Sequence, residues 1–130
     1  MNEWSTDQLT KIAGENYLYV SPFREDGTTY GKPTQTWALV VGDNVYVRAA
    51  NGPQSRWYQA AVTQGAGRVR VAGQFWEVMF EAAGNVDEAA IDLAYESKYP
   101  GSSAVPIMQG KGPKAASVRI TPRPAPSHVE

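Results

Sequence analysis

The sequence predicts an α+β domain, mainly antiparallel strand with helices set between hairpins, and three observations carry that expectation. Two stretches, residues 36–49 and 68–81, alternate apolar with polar residues around glycine-containing turns, the pattern of half-buried antiparallel strands. Three segments open on a capping residue, Ser5, Ser55 and Asn85, and continue with helical spacing. All of this fits into 130 residues, enough chain for one core but not for two.

The elements follow in order. Ser5-Thr6-Asp7-Gln8 is a capping box, so a short helix runs to about Ala13 and Gly14 ends it. Residues 17–23 (YLYVSPF) are aromatic and β-branched and predict a first strand, with Pro22 marking an edge or the start of a loop. Residues 24–33 hold two glycines and a proline and read as loop. The central hairpin comes next, and its turn decides which side chains share a face. If Asp43 and Asn44 alone turn, Leu39 pairs with Arg48. A three-residue loop of Gly42, Asp43 and Asn44 sets Val41 opposite Val45 and Leu39 opposite Val47, leaving one face wholly apolar with Tyr46 and Arg48 on the other, and is the preferred reading.

Beyond the break at residues 51–54 (NGPQ), Ser55 caps a helix that Gly65 terminates. A second hairpin pairs residues 68–71 with 75–81 around Gly73-Gln74, and sets Arg68 and Arg70 against Glu77 and Glu81 as a solvated ladder of charges. Residues 85–88 (NVDE) form another capping box, opening a helix that Pro100-Gly101 stops near Tyr99. Its inner stripe is Ala90, Ile91, Ala94, Tyr95 and Lys98. Residues 101–114 read as loose and 117–121 as a last strand, giving one domain over residues 1–121. The proline-rich residues 122–130 read as a flexible tail.

Composition excludes more than it assigns. With a formal net charge of −1 the chain lacks the basic footprint that holds a phosphate backbone, so no nucleic-acid partner is expected. It has no cysteine and a single histidine, His128, which argues against thiol or Ser-His-Asp chemistry and against a zinc site. The longest apolar run is too short to span a bilayer and the first residues are too polar for a signal peptide, so a soluble, cytoplasmic protein without a membrane partner is expected.

What chemistry the residues suggest gathers after the central hairpin. Arg48 sits among apolar neighbours, Arg56 opens a helix whose free amides favour an anion, and Gly52 permits close backbone approach; with Lys32 they could hold a phosphate or carboxylate. The competing reading pairs Arg48 with a carboxylate such as Glu77 or Asp92 and leaves Arg56 in solvent. Trp37, Trp57, Trp76, Tyr46 and Tyr58 could line a flat pocket or simply fill the core, and Trp57 and Tyr58 stand next to the glycine break.

The order helix, strand, basic loop, hairpin, helix, hairpin, helix, strand resembles the split β-barrel proteins that bind flavin mononucleotide or a deazaflavin, in particular the small deazaflavin-dependent nitroreductases. Residues 27–33 (GTTYGKP) look like that family's phosphate loop, 45–52 (VYVRAANG) like its strand and Asn-Gly turn, and 56–61 (RWYQAA) like its Trp-Tyr helix. Lys32 is the only basic residue between Arg24 and Arg48, and Thr34 stands where that family often has Arg. More closely, DNVYVRA, SRWYQAA, GRVRVAG, IDLAYESKYPG and ASVRITP resemble a bacterial family of this size whose function is uncharacterised. The resemblance implies an antiparallel split β-barrel. It implies that Lys32, Arg48, Gly52, Ser55 and Arg56 hold the phosphates of a flavin or deazaflavin, with Asn51 also at the binding site, Trp57 and Tyr58 beside the ring and hydride transfer left to the cofactor.

Two other readings stand beside it. One is a cofactor-free pocket that binds a small apolar ligand with an anionic or carbonyl group, as a binding module or as an isomerase or cyclase. The other is an interaction role as a homodimer, with Phe75 or Trp76 turned toward a second copy.

Overall fold

A computed structural model describes residues 4–83 and 88–123. Residues 85–87 of the expected capping box, the tail beyond residue 123 and His128 lie outside the described residues. In order, the chain forms α1 (Thr6–Gly14), β1 (Leu18–Pro22), β2 (Thr34–Thr36), β3 (Leu39–Val41), β4 (Asn44–Arg48), a 3-10 turn at Gly52–Gln54, α2 (Arg56–Gln64), β5 (Ala66–Val71) and β6 (Gln74–Ala82). It then continues through α3 (Glu88–Lys98), the short helices α4 (Val105–Met108) and α5 (Lys111–Ala115), and β7 (Ser117–Pro122).

Local chemistry accounts for most of these boundaries. The Ser5 hydroxyl accepts from the Gln8 amide while the Gln8 side chain accepts from the Ser5 amide, so the capping box starts α1 as its spacing predicts. Gly65 ends α2 in the left-handed region at φ 72°, where a side chain would be strained. The loop after β1 is folded on Asp26, whose carboxylate accepts from the amides of Thr28 and Thr29 at 2.9 and 2.8 Å. A bond from the Thr29 hydroxyl, together with these two, holds the Asp26 pKa down to about 2.

The seven strands form one antiparallel sheet in the order β2-β1-β5-β6-β7-β4-β3. Its two edge strands, β2 and β3, are joined only by Trp37 and Ala38. Three peptide links reach about 11 Å at most, whereas a flat sheet would separate strands six neighbours apart by about 29 Å. The sheet therefore has to curl on itself into a half-barrel. This also corrects the continuous strand expected from Thr36 to Val41: the chain leaves one edge after Thr36 and joins the opposite edge at Leu39.

Both predicted hairpin turns shift. In the first, Val41 pairs with Asn44, Val40 with Val45 and Leu39 with Tyr46, so the turn is Gly42-Asp43, with Gly42 at φ 62° as a type II′ turn requires. Neither register considered from the sequence occurs. Leu39 and Trp37 consequently lie on the side of Tyr46 and Arg48, and Ala38 and Val40 on the side of Val45 and Val47. In the second hairpin the turn is Ala72-Gly73, both at positive φ, one residue earlier than expected. Arg68 does lie opposite Glu77, but the charge ladder runs to the other neighbour: Glu77 pairs with Arg123 and Glu81 with Arg119, both reached through β7. Arg68 instead stacks on the rings of Tyr30 and Phe75, 4.1 and 4.4 Å from their centroids.

Two cores result. Inside the curl, Leu18, Val20, Val45, Val47, Val69, Val78, Phe80, Val118 and Ile120 meet Ile12 of α1 and Ala61 of α2. Outside it, Leu39 and Tyr46 pack on Ile91 and Tyr95 of α3 and on Val105 and Met108 of α4. Burial on both faces explains why residues 38–41 read as an unbroken apolar run. Lys98, from the inner stripe of α3, ties these layers together by donating to the carbonyls of Ala38, at 2.6 Å, and Ile12, at 3.2 Å. Burial lowers its pKa to about 8.

Candidate ligand-binding site

A cavity of about 480 Å³ opens where β2, the end of β4, the start of α2 and the strap containing α4 converge. It is lined by Thr34, Gln35, Thr36, Trp37, Arg48, Ala50, Asn51, Ser55, Arg56, Trp57, Ala104 and Met108. Of the residues singled out from the sequence, it brings together Trp37, Arg48, Asn51, Ser55, Arg56 and Trp57. Lys32 is exposed in the loop before β2 and lies outside this lining, as do Gly52 and Tyr58.

The backbone after β4 sets the geometry. Gly52 bends at φ 77°, its amide donating to the Ala49 carbonyl at 2.9 Å. A methyl group there would stand 3.4 Å from the Gly112 carbonyl, so the glycine serves close packing of the 3-10 turn on α5. The turn delivers Ser55 as the residue before α2. Its carbonyl accepts from the Gln59 amide at 3.0 Å, but its side chain makes no capping hydrogen bond, although the residue is only 9% exposed. A largely buried serine thus lines the cavity beside the first turn of α2, whose amide groups present partial positive charge. Arg56 follows, exposed at the cavity rim.

Two tryptophans supply the apolar walls. Trp37 stacks on Tyr99 with centroids 4.1 Å apart and planes 18° from parallel, which fixes its ring between α3 and the cavity. Trp57 meets Tyr58 edge-on, and both are half-buried against the inner core. The other aromatics of the sequence reading are structural: Trp76 packs on Trp4, and Tyr46 is buried beneath α3.

Arg48 has a different role from the other cavity residues. Its side chain is fully buried and donates to Ser117 Oγ at 3.0 Å, to Asp92 Oδ1 at 2.7 Å and to the Met108 carbonyl at 3.0 Å. The pairing with Asp92, one of the two partners considered from the sequence, is therefore the one that forms. Lys114 reaches the second Asp92 oxygen at 3.0 Å, and Gln109 donates to the Asp92 carbonyl at 3.0 Å. Partial burial works to raise the Asp92 pKa, but the bonds from Arg48 and Lys114 outweigh it and hold the carboxyl below its ordinary value. Tyr95 lies beneath this network, 5.5 Å from the Arg48 guanidinium, with its hydroxyl buried and without a hydrogen-bond partner; burial pushes its pKa well up.

Thr34, Gln35, Thr36, Ala50, Ala104 and Met108 were not foreseen as lining. They come from an edge strand and from a strap far along the chain, and only the curl of the sheet brings them to the same opening. Among the described residues no cluster of three His, Cys, Asp or Glu is placed to hold a metal ion, and no helix is long and apolar enough to cross a membrane.

Fold and site together define a small α+β domain built on a curled antiparallel half-barrel, with an aromatic-walled cavity at one end. The chain belongs to the family described as uncharacterized protein conserved in bacteria (DUF2255), whose model matches residues 8–120. That bears out the resemblance to an uncharacterised bacterial family and brings no reaction with it. No curated protein matches the chain.

Proposed function

We propose that the protein binds a small, flat, largely apolar ligand carrying one anionic or carbonyl group. The ring would lie between Trp37 and Trp57, and the polar group would meet Ser55, Arg56 and the first turn of α2. The observation that carries this reading is Ser55, a residue only 9% exposed that lines the cavity at a helix N-terminus and whose side chain makes no capping bond. Of the three cations first considered, Arg56 alone stands at the cavity with its side chain uncommitted to a buried ion pair, which favours a singly charged ligand over a phosphorylated one.

Anilinonaphthalene sulfonate, a flat aromatic with a single anionic group, is a suitable probe. Its titration should show saturable binding that weakens about tenfold in Arg56→Gln and less in Ser55→Ala, as expected for loss of one charge-assisted hydrogen bond. Unchanged affinity in Arg56→Gln overturns the assignment.

A second reading keeps flavin mononucleotide or a deazaflavin as the ligand, favoured by two tryptophan rings on one cavity. The phosphate would then rest on Ser55, Arg56 and the α2 amides without Lys32. Titration of both cofactors, followed by tryptophan quenching, tests it, and no binding at high micromolar concentration refutes it.

A further inference from the structure

The strap that forms one wall of the cavity is built unlike the rest of the fold. Its helices α4 and α5 span four and five residues, too short to hold their shape alone. It starts at Gly101, which sits at φ 77° with open space around it, and it lays Ala104 and Met108 over the cavity. Its polar attachments converge on one side chain. Asp92 receives Arg48 from the barrel through one carboxylate oxygen and Lys114 from the strap through the other. Its carbonyl accepts from Gln109, which also donates to Glu96 at 2.9 Å. Arg48 adds a second tie by donating to the Met108 carbonyl. The apolar hold of the strap rests on Val105 and Met108 in α4 and on Pro113 and Ala116 at its far end, while Ile107 is 59% exposed.

We propose that residues 101–116 open and close over the cavity and that Asp92 is the latch that holds them shut. The inference rests on the cavity being a ligand site, as argued above. A carboxylate shared between a fixed arginine and a lysine on the strap lets the strap lift by giving up the lysine, the glutamine, the Met108 carbonyl and the packing of Gly112 on Gly52, with the Arg48–Asp92 pair left in place. The lifted strap uncovers the side of the cavity formed by Ala104 and Met108 and admits a ligand that the closed form encloses.

The test uses the full chain and two variants. Asp92→Asn keeps an oxygen for Arg48 and turns an amide toward Lys114. Lys114→Met removes the strap's side of the latch and leaves Asp92 and Arg48 untouched, which guards against a folding defect in the first variant. Hydrogen exchange should be about tenfold faster across residues 104–116 in both, the loss expected for one charge-assisted hydrogen bond, with β5 and β6 unchanged. In stopped-flow mixing with anilinonaphthalene sulfonate, association and dissociation rates should rise together, leaving affinity nearly constant. Wild-type exchange in the strap of both variants overturns the proposal, as does equal loss of protection in β5 and β6, or unchanged probe rates beside a faster strap. If Arg56→Gln leaves probe affinity unaltered, it is the ligand assignment that fails, and the exchange measurements alone judge the strap.

Discussion

Replacing Arg48 by methionine decides whether this buried cation serves the fold or a ligand. The substitution keeps most of the stem and removes, among the bonds Arg48 makes, those to Ser117, Asp92 and the Met108 carbonyl. Bonds to a charged group contribute about 1.5–3 kcal/mol each, but they do not add, because the fully buried guanidinium no longer has to be stripped of water. Nor is the abandoned carboxylate stranded, since Asp92 keeps Lys114 at 3.0 Å and its side chain is 24% exposed. We therefore expect about 2–3 kcal/mol of destabilisation, below the 3–5 kcal/mol typical of breaking a fully buried pair.

In urea, with a slope of about 1.5–2 kcal/mol per molar for a domain of this size, the midpoint should fall by about 1–2 M. A double-mutant cycle with Asp92→Asn should show a coupling of about 1 kcal/mol or more. A midpoint within about 0.3 M of wild type, beside lost probe binding, would refute the structural role and return Arg48 to the ligand.

Two further predictions concern packing and pH. Gly67 pairs with Pro22 across β1 and β5, and a methyl group on it would stand 2.7 Å from the Pro22 Cα, with the Ser21 carbonyl closer still; Gly67→Ala should cost about 2 kcal/mol or more by forcing the strands apart, and a urea midpoint near wild type would contradict the register. Lys98 binds its proton less tightly folded than unfolded, so the unfolded state holds more protons between about pH 8 and 10.5 and stability should rise with pH through that window. Tyr95 and Tyr99 have pKa values raised by burial, so their contribution is complete below pH 10 and declines above it. Urea midpoints measured from pH 7 to 11 should therefore climb and then fall, with Lys98→Met losing the climb and keeping the fall; an identical climb in the variant would show that another group is responsible.

Elements whose ends are fixed by a single side chain were legible in the sequence. Ser5 with Gln8 and Gly65 act within one helical turn, and each marks the boundary that the structure has. Registers were less legible, because Gly42, Asp43 and Asn44 all suit turns and the choice among them falls to two cores on opposite faces of β3 and β4. The helices α4 and α5 were read as loose chain, since proline and glycine dominate residues 100–113 and four or five residues show no period. At the site, Arg48, Asn51, Ser55, Arg56 and Trp57 are neighbours in sequence and remain neighbours in space. Thr34, Thr36, Ala104 and Met108 carry no local mark of belonging with them. Lys32 shows the converse: a basic residue in a glycine loop suggests a phosphate, but the fold of that loop on Asp26 and the Phe23–Tyr30 bridge leaves it exposed and off the cavity.

The position of β7 between β6 and β4 has a consequence for how the protein is made. Without it the sheet order falls into two pieces, a four-stranded β2-β1-β5-β6 sheet and the β3-β4 hairpin, linked through Trp37 and Ala38. During synthesis both pieces can form early, yet each presents a bare edge, β6 on one and β4 on the other, until residues 117–122 emerge. For that interval the nascent chain carries two unpaired strand edges in addition to β2 and β3, of the kind that recruit other chains, so slow docking of β7 prolongs its exposure to aggregation.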